Sequence, residues 1–288
     1  DAMSTDWKDF AAVSADAVAR GLEEDCADRD SAAAALGRSA AAPSCAVAVA
    51  RSRVVLCGWM LVEMVFDSLG GEVEVTRLAE EGCVLDGGAR AGIIRGPAGA
   101  LLRGEWTALN LLNRLSGIAA LTRKFVDAVA GTGVEILDTR KTTPGLRALE
   151  RYAVRCGGGV NHRFDLCGMA MFKDNHWIAA GGLAGLSDAV SAARAAGVPV
   201  EVEIDSLEQL HPVIGMHPDR ILLDNMNPAT VAEAVRAARG SGIYMEASGG
   251  ISLETVRAMA ETGVDGISTG CLTHSAPAAD ISLDWEAR

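Results

Sequence analysis

The sequence predicts an α/β protein: a strand-rich N-terminal region, a long connecting helix, and a C-terminal barrel of parallel strands. Three observations carry this. In the later part of the 288-residue chain, short apolar runs ending in a polar residue alternate with capped helices. Such units, at a spacing of about twenty residues, build parallel sheets and, in this number, barrels. Between Cys45 and Leu102, runs of Val, Ile and Leu are broken by Gly-Gly, Asp-Gly and Gly-Pro turns, the pattern of strands and hairpins. Joining the halves, Ala108, Leu111, Leu112, Leu115, Ile118 and Ala119 fall at helical spacing, as an amphipathic helix requires.

Taken in order, residues 7 to 23 read as a helix with Phe10, Val13, Ala17 and Leu22 on one side. Asp1 and Ala2 ahead of Met3 read as a cloning remnant. The Ala-rich stretch from Ser31 to Ala50 is interrupted by Arg38 and Pro43. It reads as a helix and an edge strand rather than a signal-peptide core. Residues 45 to 102 are expected to be mainly sheet. The connecting helix covers Thr107 to Leu121 and continues towards Ala130. The later strands are 135–138 (EILD), 170–173 (AMFK), 200–205 (VEVEID), 220–225 (RILLDN), 243–248 (IYMEAS) and 266–270 (GISTG). Between them Asn227 caps a helix with Pro228 in its first turn, Ser206 and Gln209 form a capping box, and Gly197, Gly240 and Gly263 stop helices.

Charge narrows the function. With 26 basic against 38 acidic residues the formal charge is −12, which excludes a general nucleic-acid binder, whose footprint is basic. No apolar run reaches the ~18 residues that span a bilayer, so no membrane partner is expected. Seven cysteines without a CxxC pair or zinc-ligand spacing imply reduced thiols and a cytoplasmic protein.

Against this acidic background, DTRKTTPGLR (138–147) and CGGGVNHRFDLCGMAMFKDNH (156–176) crowd Arg140, Lys141, His162, Arg163, Lys173 and His176 together. Local cationic density of this kind predicts a small anionic ligand. Barrel active sites lie at the C-terminal ends of the strands. Those ends here are Asp138, Lys173, Glu203 with Asp205, Asp224, Glu246 with Ser248, and Thr269. Strand periodicity puts Glu201, Glu203 and Asp205 on one face. Glu203 and Asp224, on adjacent strands, suit a divalent metal bearing phosphates, since magnesium uses one or two carboxylates plus phosphates and water. Ser248, Gly249 and Gly250 lie between a late strand and a helix start, where backbone N–H groups favour phosphate. Gly270 would complete that cradle, and a tight strand-to-helix turn is the competing reading.

The stretches 104–119 (GEWTALNLLNRLSGIA), DTRKTTPGLR, CGGGVNHR, KDNH (173–176), VEVEIDSLEQL (200–210), ILLDN (221–225), EASGGIS (246–252) and STGCLTHS (268–275) together resemble the quinolinate phosphoribosyltransferase family, in its order and over most of the chain. The resemblance implies an N-terminal α/β sandwich domain at 1–118, joined by 276–288, and an incomplete TIM-like α/β barrel at 119–275. It implies a homodimer with shared active sites, magnesium (Mg2+), and phosphoribosyl pyrophosphate with a small heteroaromatic acid as substrates. The implied reaction turns quinolinate and phosphoribosyl pyrophosphate into nicotinate mononucleotide, pyrophosphate and carbon dioxide. By motif, Arg140, His162, Arg163 and Lys173 would bind quinolinate carboxylates, with Lys141 near the pyrophosphate. Glu203 and Asp224 would serve metal and ribose, and Ser248, Gly249, Gly250 and Gly270 the 5′-phosphate. Catalysis would rest on Lys141, Lys173, Glu203 and Asp224.

Two departures from the family pattern stand out. Trp106 replaces the arginine of GERTALN, removing a charge-assisted clamp worth about 1.5–3 kcal/mol and offering a stacking face in the substrate site. Around the cation cluster, Asp165 stands where the family usually has Gly, Gly168 where it has Asp, and Met171 and Phe172 where it has small aliphatics. These changes fit either an altered substrate pocket or structural drift. Phosphoribosyl transfer to another nitrogen heterocycle, and a non-catalytic phosphoribosyl-binding relative, therefore stand as alternatives. His211, His217 and His274 are expected to lie outside the chemistry, with His176 in structural support.

Overall fold

The computed structural model describes residues 6–70 and 73–286, so the reading of Asp1 and Ala2 falls outside the described residues. In chain order the first elements are α1 (Asp6–Glu24), α2 (Ser31–Ala35), β1 (Pro43–Ala50), β2 (Val54–Val55), α3 (Trp59–Ser68), β3 (Glu74–Arg77), β4 (Val84–Leu85), β5 (Arg90–Pro97) and the long α4 (Ala98–Ala128). Then come β6 (Glu135–Leu137), α5 (Arg147–Cys156), β7 (Ala170–Phe172), α6 (Asp174–Ala179), α7 (Leu183–Ala195), β8 (Val200–Ile204), α8 (Leu210–Ile214), β9 (Arg220–Asp224) and α9 (Pro228–Ala237). The last are β10 (Tyr244–Ser248), α10 (Val256–Ala260), β11 (Gly266–Ser268), α11 (Cys271–His274) and β12 (Ile281–Trp285). None of the helices is long and apolar enough to cross a membrane among the described residues.

Two compact units form. The first takes the chain up to Arg123, Thr142–Gly158, and the chain from Leu272 on; the second takes Lys124–Lys141 and Gly159–Cys271. Residues 142–158 thus group with the first unit, within the 119–275 span that the resemblance gives to the barrel.

The first unit is built on an antiparallel sheet of order β12-β1-β5-β3. Here β1 is an interior strand, hydrogen-bonded on both sides, and not the edge strand expected. Its Ala46, Val47, Ala48 and Ala50 are all buried, so consecutive residues on both faces leave water, as an interior strand demands. The region expected to be mainly sheet also contains α3. Trp59, Val62, Val65 and Phe66 are buried along it at i, i+3, i+6 and i+7, a helical stripe. Its start escapes local reading because no side chain at the N-cap bonds to it. Instead Glu81 accepts the Gly58 and Trp59 N–H groups at 2.8 and 2.7 Å, satisfying orphan donors from a distant turn. Trp59 lies so close to β5 that a Cβ at Gly92 would stand 2.1 Å from its ring.

The second unit is a six-stranded parallel sheet of order β6-β11-β10-β9-β8-β7. An isolated parallel bridge from Leu137 to Val160 extends the β6 side, and β7 and β6 do not pair with each other among the described residues. The barrel is therefore incomplete. Val200, Val202, Ile221, Leu223, Ala247 and Ile267 are fully buried on its strands. Asn227 caps α9 by accepting the Thr230 N–H at 3.1 Å, with Pro228 in the first turn. Gly197, Gly240 and Gly263 take positive φ after α7, α9 and α10. The Ser206–Gln209 capping box does not form: Ser206 makes no cap bond, and the Gln209 side chain instead accepts the Asp205 N–H at 2.9 Å. The chain tightens into a 3-10 turn at Leu207–Gln209, which moves the reciprocal partners out of register.

Candidate active site

One cavity of about 570 Å³ opens at the C-terminal ends of the parallel strands of the second unit. It is lined by Arg140, Lys141, His162, Arg163 and Lys173, by Glu203, Asp224 and Glu246, and by Ser248, Gly249 and Gly250. Residues from six separate motifs therefore meet in one place. Gly270 is not among the lining residues and Ser268 takes that position. Trp106 is 65% exposed on α4 and lies outside this cavity.

The cations are held by a buried scaffold. Asp138, with no exposure, accepts the Asn161 amide at 2.6 Å and the His162 N–H at 2.7 Å, which fixes the NHR turn. The His162 ring places Nε2 3.1 Å from Glu201 and 3.2 Å from Glu246, both fully buried. Burial pushes the imidazole down, but these two carboxylates outweigh it and raise its pKa to about 9. The Arg163 N–H donates to Nδ1 at 2.7 Å, so a proton reaches that nitrogen only when this bond opens. Burial opposes ionisation of Glu246 too, but His162 holds its carboxyl below the usual range. Glu201 stays above that range, chiefly through burial. Arg220, 3.7 Å from Glu246 and stacked over Tyr244 at 4.3 Å, balances the remaining charge.

Arg163 donates to the Met169 carbonyl at 2.9 Å. Burial and the neighbouring Arg140 push its guanidinium below its ordinary value, and the Arg140 Nε is itself buried without a hydrogen bond. Two cations held against their own repulsion suit a ligand carboxylate between them. Lys173 pairs with Glu203. Asp224 accepts from the Asn225 side chain at 2.7 Å. Glu203 and Asp224 lie on adjacent strands, as a shared cation requires. Asp205 does not line this cavity: β8 ends at Ile204, the two-residue alternation stops there, and Asp205 lies in an adjoining hollow with Trp177 and Gln209 that Glu203 and Asp224 also border.

At Gly249 the backbone φ is +89°, and a Cβ would stand 2.3 Å from Asn225 Oδ1, so only glycine fits there. Gly250 also has positive φ, +62°. The expected helix start does not follow directly: α10 begins at Val256 and has five residues, too short a dipole to matter. Any phosphate affinity of this loop rests on the backbone N–H groups of the Gly-Gly turn.

The departures around the cation cluster are local. Asp165 accepts the Cys167 and Gly168 N–H groups at 2.8 and 3.0 Å, closing a turn on itself, and neither Asp165 nor Gly168 lines the cavity. Met171 does line it, whereas Phe172 packs edge-on against His176. His176 accepts the Lys173 N–H at 3.0 Å, a supporting role as expected. His211, His217 and His274 are exposed. Sequence reasoning passes over Glu201 and Glu246 as partners of His162. Their signal is acid on a strand otherwise apolar and buried, where a charge needs a partner.

Fixed cations facing carboxylates at the C-terminal ends of parallel strands define an α/β-barrel enzyme for anionic substrates. The chain belongs to the quinolinate phosphoribosyl transferase family, whose C-terminal domain matches residues 118–284 and whose N-terminal domain matches residues 31–116. It is 45% identical over 238 residues to a probable nicotinate-nucleotide pyrophosphorylase [carboxylating] of Bacillus subtilis, covering 82% of this chain and 81% of that protein. The human nicotinate-nucleotide pyrophosphorylase [carboxylating] is 41% identical over 274 residues, covering 93% of this chain and 90% of its own. Among solved structures, the nicotinate-nucleotide pyrophosphorylase of Francisella tularensis superposes with a TM-score of 0.86 at 33% identity, covering 94% of this chain and 97% of that one.

Proposed function

We propose that this protein transfers the phosphoribosyl group of phosphoribosyl pyrophosphate to quinolinate, giving nicotinate mononucleotide, pyrophosphate and carbon dioxide in NAD biosynthesis. The observation that carries it is the meeting of Arg140, His162, Arg163 and Lys173 with Glu203, Asp224 and the Gly249–Gly250 turn in one cavity. The relatives' names describe the same conversion.

The ring nitrogen of quinolinate attacks the anomeric carbon and the bond to pyrophosphate breaks; the bond from carbon 2 to its carboxylate then breaks to release carbon dioxide, and carbon 2 takes up a proton from water. Arg140 and Arg163 orient the two ring carboxylates, and His162 adds positive charge beside them. Glu203 and Asp224 stabilise positive charge developing on the ribose, while Lys141 and Lys173 face the departing phosphates. The N–H groups at Gly249 and Gly250, with Ser248, hold the 5′-phosphate. Two carboxylates on adjacent strands suit magnesium, which takes most of its oxygens from phosphate and water. Bound there by Glu203 and Asp224, it would neutralise the leaving pyrophosphate. The exposed Trp106 fits a homodimer in which it reaches the partner's cavity, and the free cysteines fit a reducing, cytoplasmic setting.

The test is a mass-spectrometric product assay with phosphoribosyl pyrophosphate, magnesium and quinolinate, run beside nicotinate and other pyridine-like and purine-like rings. Nicotinate mononucleotide from quinolinate is expected. Silence with quinolinate and a ribotide from another ring would overturn the acceptor and retain the transfer.

A further inference from the structure

The first unit holds a second reactive cluster that this chemistry does not use. Cys57, Glu81 and Cys156 bring two sulfurs and a carboxylate oxygen within 4.8 Å of one another, and the two thiols share a hydrogen bond. Both cysteines are anchored along α4. The Cys57 N–H donates to Ser116 Oγ at 3.0 Å, and the Cys57 carbonyl accepts from that hydroxyl at 3.1 Å. One turn further along α4, Gly157 packs so closely that a Cβ there would stand 2.6 Å from the Ala119 carbonyl oxygen. A third contact ties the two segments directly. Gly82 donates its N–H to the Leu56 carbonyl at 2.8 Å, and its Cβ position lies 3.1 Å from the Cys156 carbonyl oxygen. The backbones beside both sulfurs are thus fixed, and they hold the sulfurs within 4.8 Å of each other.

We propose that Cys57 and Cys156 form a peroxide-responsive dithiol that closes to a disulfide, joining the β2–α3 junction to the C-terminal end of α5. The two sulfurs are unequal. Cys156 is half-buried, whereas Cys57 is wholly buried. The hydrogen bond from Cys57, with help from Tyr152, holds the Cys156 thiol below its ordinary value, and burial pushes Cys57 well up. Cys156 is therefore the attacking thiolate. Its sulfur bonds to one peroxide oxygen, the O–O bond breaks, and hydroxide leaves to take up a proton as water. The Cys57 sulfur then attacks that sulfenic sulfur, the S–O bond breaks, and the thiol proton departs with the hydroxyl as a second water. Two thiols are oxidised and one peroxide is reduced. A divalent metal fits less well: two thiolates and the Glu81 carboxylate would outweigh its charge and leave a buried anion, whereas the disulfide adds none.

The experiment treats the full chain with hydrogen peroxide, blocks remaining thiols with an alkylating reagent, and maps peptides by mass. The expected result is loss of two hydrogens, two fewer alkylatable thiols, a Cys57–Cys156 cross-linked peptide, and full reversal by a dithiol reductant. Cys57→Ser should abolish the link and leave a sulfenic acid on Cys156, trapped by a cyclic diketone. If that variant does not fold, the wild-type peptide map alone decides. Alkylation of both cysteines at the untreated rate after peroxide would overturn the proposal, as would a link between other cysteines. So would protection of both thiols by zinc ions alone, with no link formed by peroxide.

Discussion

Each unit gathers three ligand-type side chains within 4.8 Å of one another: Cys57, Glu81 and Cys156 in the first, His162, Glu201 and Glu246 in the second. In the first, burial pushes Cys57 and Glu81 up, towards their neutral forms, and the group is satisfied by hydrogen bonds among thiols, Tyr152 and the N-terminus of α3. In the second, burial acts in the same sense on every acid, yet His162 is pushed towards its cation because two carboxylates face one ring nitrogen. Burial sets the cost of charge in both places. The partner decides whether that cost is met.

The sharpest way to break this contrast is Glu246→Ala. It leaves the His162 imidazolium and Arg220 short of a buried counter-charge, and is expected to lower unfolding stability by about 3–5 kcal/mol, read from the urea midpoint. An unchanged midpoint would mean that Glu246 balances no buried positive charge.

Arg140→Ala and Lys173→Ala remove preorganised charge from the cavity while leaving the clusters intact. Each is expected to lower kcat/KM for nicotinate mononucleotide formation by about 10²–10³-fold, with the urea midpoint little changed. A parallel loss of stability would move these residues from chemistry to scaffold.

The cationic His162 also makes stability depend on pH. Its folded pKa is raised from 6.5 to about 9, so its contribution is fully present below the unfolded value and is lost as pH rises through the folded one. On the order of 3 kcal/mol is at stake. Urea midpoints taken from about pH 6 to pH 10 should fall for the wild type and fall less for His162→Gln, the difference isolating this group. Equal slopes would count against a charged imidazole.

The smallest effect is expected in the first cluster. Cys57→Ser exchanges one weak hydrogen-bonding group for another, and a cost of about 1 kcal/mol with unaltered turnover is the expected outcome in urea titration and product assay. A loss comparable to that of Glu246→Ala would show that the first cluster supports the fold as strongly as the second.

Much of the site is legible in the amino-acid sequence alone. Arg140, Lys141, His162, Arg163, Lys173, Glu203, Asp224 and the Ser248–Gly250 turn sit in strand-end motifs, and a parallel sheet carries all of its strand ends to one rim. What the sequence leaves hidden depends on distant partners. The carboxylates holding His162 come from β8 and β10. The cap of α3 comes from Glu81. The interior place of β1 is set by its pairing with β12. Asp205 is assigned to the cavity by a periodicity that the chain abandons at Ile204.

By itself the sequence determined where the barrel strands fall along the chain, the start of α9 at Asn227, the helix stops at Gly197, Gly240 and Gly263, and the chemical types gathered at the mouth. Those follow from side-chain period, turn residues and caps, which act over a few positions along the chain. Only the tertiary structure decided which acids pair with His162, which are left to solvent, and that Cys57 meets Cys156. These depend on residues far apart in the chain being packed against the same elements. There, proximity and loss of water fix the charge and reactivity that the residue names leave open.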